Sequence, residues 1–95
     1  MNNQEVQVKA DDKILKGRYA NIMYIAHTKE EFVLDFLNVL PPQGSLVSRI
    51  ITSPGHMKRI LKALGDNIKQ YEDKFGKIEE AEEPRKNLGF KPSQP

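Results

Sequence analysis

The sequence has no cysteine and no tryptophan, and only two histidines, His27 and His56. Without cysteine there is neither a disulfide nor a thiolate nucleophile, and two lone histidines cannot build a structural zinc site. The glycines, at 17, 44, 55, 65, 76 and 89, never cluster, so no phosphate-cradling loop is signalled. No apolar run approaches the ~20 residues needed to cross a bilayer, and the N-terminus lacks the apolar core of a signal peptide. The expectation is therefore a cytoplasmic protein with no membrane contact and no cofactor. Neither sign of charge dominates: 15 Lys and Arg against 13 Asp and Glu leave a formal +2. A chain of 95 residues fits one small domain. Such a domain buries only roughly 60% of its unfolded surface, and self-association is a common remedy where no staple braces the core.

Three regions can be read along the chain. Residues 1–16 carry few apolar groups. Met1-Asn2-Asn3-Gln4 reads as a frayed end and Asp11-Asp12-Lys13 as a turn, while Val6 and Val8 alternate with polar neighbours in the manner of a short edge strand. Residues 79–95 hold Glu79, Glu80, Glu82, Glu83 and three prolines, and read as a disordered tail interrupted by the apolar pair Leu88 and Phe90.

Residues 17–78 between them form the expected domain. Tyr19 to His27 is rich in strand formers, and Thr28-Lys29-Glu30 makes a turn. The run Glu31 to Leu40 puts Phe32, Leu34, Phe36 and Leu40 on one face and Val33, Asp35, Leu37 and Val39 on the other. Pro41-Pro42-Gln43-Gly44 has strong turn chemistry, and a third strand runs from Leu46 to Thr52. A helix then begins: Ser53 is an N-cap residue and Pro54 suits the first helical position. Met57, Ile60, Leu61, Leu64, Ile68, Tyr71 and Phe75 recur at spacings of three and four, and Gly76 ends the pattern. The fold class is α+β, an antiparallel three- to four-stranded meander followed by one long amphipathic helix. Both faces of the first two strands are largely apolar, and a single helix can cover only one. The uncovered face, carrying Val33, Leu37 and Val39, is the candidate apolar interaction face.

Chemistry of other kinds finds little footing. Ser53 and His56 lie close in sequence, but a histidine near a helix N-terminus is ordinarily a surface residue. Asp35 stands among Val33, Phe36 and Leu37, as an outward charge or as the partner of Arg49 on the neighbouring strand. The core segment offers no second inward acid for an acid–base dyad. The acidic run from Glu79 to Glu83 lacks the glycine and alternating oxygen ligands of a calcium loop. Arg49, Lys58, Arg59 and Lys62 gather around the start of the helix, where free N–H groups and the helix dipole favour phosphate. They are the candidate residues for a nucleic-acid-binding alternative, although no aromatic residues are interleaved with them.

Several stretches together resemble one family. They are Gly17-Arg18-Tyr19-Ala20-Asn21, Glu30-Glu31-Phe32-Val33-Leu34-Asp35-Phe36, and Ser48-Arg49-Ile50-Ile51-Thr52-Ser53-Pro54-Gly55-His56. The closing segments Leu61 to Glu72 and Phe75-Gly76-Lys77-Ile78 fit the same pattern. This is similar to the bacterial and archaeal family catalogued as domain of unknown function 3467. The resemblance implies a small cytoplasmic protein and brings no activity, substrate or catalytic residue with it. The meander-plus-helix arrangement also resembles, in architecture alone, the SecB-type export chaperones, which are oligomers that hold unfolded chains in apolar grooves. The leading expectation is a non-enzymatic interaction module that forms at least a dimer, with apolar protein segments as partners and no metal or cofactor.

Overall fold

The computed structural model describes residues 4–82, 84 and 88–90. Three strands, β1 (Ile22–His27), β2 (Phe32–Leu40) and β3 (Gln43–Thr52), form one antiparallel sheet in the order β1-β2-β3. The first hairpin is closed by Thr28, whose N–H donates to the Glu31 carbonyl at 2.9 Å. Its Oγ1 accepts from the N–H groups of Glu30 and Glu31, each at 3.2 Å. The second hairpin turns on Pro41-Pro42 alone, joined by a cis bond.

Strand β3 starts at Gln43, earlier than the expected Leu46, because Gly44 belongs to the ladder opposite Val39. A Cβ on residue 44 would lie 3.2 Å from Val39 Cγ2, so a side chain there would require Val39 to give by a few tenths of an ångström. Register then shifts between Phe36, opposite Ser48, and Leu37, opposite Leu46, leaving Val47 as an extra residue. This bulge transfers Leu46 to the face of its partner Leu37, while Ser48 and Ile50 stay with Phe36 and Leu34.

Before the sheet, residues 4–10 form no strand, and Asp12–Leu15 make a single helical turn, α1, where a plain turn was expected. The sheet thus has three strands among the described residues. The expected frayed end Met1-Asn2-Asn3 lies outside the described residues, as do residues 83, 85–87 and 91–95 of the acidic tail.

The long helix, α2, runs over Pro54–Phe75. Ser53 caps it, its Oγ accepting from the His56 N–H at 3.2 Å. Gly76 ends it with φ at 96°, and the Gly76 N–H donates to the Glu72 carbonyl at 2.9 Å. The helix was expected to cover one face of the sheet. Instead it makes no extensive contact with the sheet, and none of its residues is buried. Ser53 is the only residue between β3 and α2, and a residue before proline is held in the extended region. One extended residue is shorter than the roughly two to six that usually join a strand to a helix packed against it.

The buried centre of the chain is correspondingly small. Ile22, Leu37 and Val39 are 3–5% exposed and form one cluster, with Tyr24 and Leu88 packed against it. The radius of gyration is 16.8 Å, where a compact domain of this length has about 12 Å. Accessible surface is 9472 Å², against about 5,600 Å² for a compact monomer of this mass. Exposed apolar residues of the sheet and of α2 contribute to the excess.

Candidate interaction surfaces

Cross-strand pairing divides the sheet into two unlike faces. One carries Tyr24, Asp35 and Arg49 in a row across the strands, flanked by Ile22, Leu37 and Val39. Here Arg49 Nε donates to Asp35 Oδ1 at 2.7 Å and its second guanidinium nitrogen to Oδ2 at 2.8 Å, a two-pronged pair. The Arg49 hydrogen bonds hold the Asp35 carboxyl below its ordinary value, with the guanidinium charge adding to the effect and partial burial opposing it. Arg49 is raised in turn, first by the same hydrogen bonds and then by the carboxylate charge. A charge among apolar strand residues is thereby satisfied within the sheet. Asp35 has the partner that its position suggested.

Asn21 completes this side of the sheet. Its side-chain N–H donates to the Val39 carbonyl and its carbonyl accepts from the Val39 N–H, both at 2.9 Å. The carboxamide behaves as one more peptide unit of β1, satisfying backbone groups that the strand is too short to reach. An asparagine just before a strand carries no distinctive sequence signal for this role.

Val33, Leu37 and Val39, the expected interaction residues, fall on this same face. Leu37 and Val39 are buried beneath Tyr24 and Leu88, and Val33 is half-buried. The opposite face is the more open one. Met23, Ile25 and Ile50 are 43–48% exposed, around the half-buried Phe32 and Phe36 and the central Leu34. His27 stacks against Phe32 at its margin, with ring centroids 5.3 Å apart. This face has no Asp, Glu, Lys or Arg among the paired residues.

The second surface is α2. Leu61, Leu64, Ile68, Tyr71 and Phe75 are 50–66% exposed along one side. Beyond Gly76 the chain turns so that Ile78 joins Leu64, Ile68, Tyr71 and Phe75 around an open groove. The Ile78 N–H is anchored on Glu72 Oε2 at 2.9 Å.

The candidate phosphate-binding residues lie on two elements, β3 and α2. Arg49 is engaged with Asp35 on the sheet, while Lys58, Arg59 and Lys62 are exposed on α2. Among the described residues no three His, Asp or Glu side chains gather in a metal-holding group. Nor is any described helix long and apolar enough to cross a membrane.

The model of the family described as protein of unknown function (DUF3467) matches residues 1–80. The chain belongs to this family. That match takes in all three strands, α2 and the Asn21, Asp35 and Arg49 positions. No curated protein and no solved structure matches the chain, so the architectural likeness to SecB-type chaperones gains no support from them.

Proposed function

We propose that this chain is a non-enzymatic, self-associating protein-interaction module, working as at least a dimer in the cytoplasm. The observation that carries the reading is the pair of apolar surfaces left open by one chain: the sheet face of Met23, Ile25 and Ile50, and the stripe along α2. Soluble monomers rarely expose contiguous apolar patches beyond a few hundred Å². The sheet face, apolar and free of charged side chains, suits extended apolar segments of other proteins once self-association has covered the helix.

Sedimentation equilibrium of the full chain at micromolar concentration tests self-association, and a mass of two or more copies is expected. A monomer throughout the range overturns the proposal. For the partner class, an apolar-surface dye should bind the folded oligomer, and Ile25→Asp should remove most of that binding. Neither dye binding nor protection of a denatured client from aggregation would leave an oligomer without this activity.

A further inference from the structure

The apolar stripe of α2 has a stricter period than a helix that packs on a globular core. Met57, Leu61, Leu64, Ile68, Tyr71 and Phe75 follow one another at intervals of four, three, four, three and four. That alternation is the 3.5-residue repeat of a helix-to-helix seam, with Leu61, Ile68 and Phe75 at one core position and Met57, Leu64 and Tyr71 at the other. Ile60 is the single apolar addition flanking it. A helix of 22 residues spans about 33 Å, enough for five or six seam layers.

From this seam we infer that α2 pairs in antiparallel fashion with α2 of a second copy. The inference rests on the self-association proposed above and names its interface. Antiparallel alignment about the middle of the helix sets Leu64 against Ile68 of the second copy, Leu61 against Tyr71, and Met57 against Phe75. The flanks then agree in charge as well. Lys58 of one copy lies beside Glu72 of the other, twice by symmetry, and Gly65 meets Gly65 at the twofold axis, where bare backbone permits close approach. In a parallel pair, Lys58 and Glu72 are far apart, and two Tyr71 hydroxyls are forced into one layer.

The fold favours the same arrangement. The one-residue connection at Ser53 accompanies a helix that makes no extensive contact with its own sheet, and antiparallel helices carry the two sheets to opposite ends of the pair.

The test uses the full chain and charge reversal. Lys58→Glu alone and Glu72→Lys alone should each weaken association roughly tenfold in sedimentation equilibrium, since each sets two like-charge pairs across the seam. The combined variant, Lys58→Glu with Glu72→Lys, should return to within about threefold of the parent. Mixing Lys58→Cys with Glu72→Cys should give an oxidised heterodimer, and the parent chain has no cysteine to compete. Leu64→Asp with Ile68→Asp should yield monomer. If that variant unfolds, the charge swap still decides. Absence of rescue together with absence of the mixed disulfide overturns the antiparallel seam. An oligomer indifferent to every α2 substitution overturns this interface while leaving self-association intact, whereas a monomeric parent chain overturns both.

Discussion

The sheet and the long helix use the same kinds of residue to opposite ends. On the Tyr24 face of the sheet the awkward groups are answered within the chain: Asp35 by Arg49, the Val39 backbone by Asn21, and Leu37 by Ile22, Tyr24 and Leu88. Along α2 the polar side is answered locally, by the Ser53 cap and by a Lys69–Asp73 pair at 3.1 Å, but the apolar side meets little beyond Ile78 among the described residues, and none of its residues is buried. The difference teaches that amphipathic pattern tells where burial must occur and leaves open which molecule supplies it. Ser53 and Pro54 bear on that question, because they form the short join through which the helix leaves the sheet.

Deletions in the two regions should therefore behave differently. Leu37→Ala opens a cavity in the one buried cluster and should cost about 2–5 kcal/mol in a urea titration, by a similar amount at high and low protein concentration. Leu64→Ala should show itself mainly as weaker association, with its cost fading as the protein is diluted. Equal concentration dependence for the two would erase the contrast.

Asn21→Ala strands the N–H and C=O of Val39 and should cost about 1–3 kcal/mol, while Asn21→Asp keeps only the acceptor and recovers part of it. Loss at the helix cap is smaller. Ser53→Ala should remove about 1 kcal/mol and fray the first turn, seen as faster amide exchange at Met57 and Lys58.

The smallest effect concerns pH. Because the folded Asp35 sits below its ordinary 3.8, its ionised form stabilises the fold. That contribution is complete above the ordinary value and disappears as pH falls through the lower, folded one. Asp35→Asn should be less stable at neutral pH and should flatten the acid limb of a stability profile. An unchanged acid limb would mean that the Arg49 pair adds nothing in solution, as holds for many exposed pairs.

Much of this was legible from residue types alone. The Thr28 and Pro41-Pro42 turns, the two-faced β2 and the Ser53–Gly76 limits of α2 follow from turn, alternation and capping chemistry. The partner of Asp35 was legible as one of two readings, since opposite charges on neighbouring strands attract but register is not written in spacing. Register was in fact the main thing hidden. The bulge at Val47 and the early start of β3 at Gln43 depend on how the strand pairs with β2, which no local pattern announces. The more occupied face was hidden for a similar reason: Leu88 reaches it from far along the chain. The strict period of α2 and its one-residue connection were both visible in the sequence. Together they are the features on which the proposed helix pairing rests, where the apolar stripe alone suggests a helix that folds back.

The central claim, that α2 is completed by a second copy while the sheet is sustained by its own chain, can be tested in a single dilution series. An isolated helix of this length is marginal in water. The account predicts that the helical far-ultraviolet signal falls as the full chain is diluted through its dissociation range, while amide protection in β2 persists. A helical signal that stays constant down to demonstrably monomeric protein would contradict it.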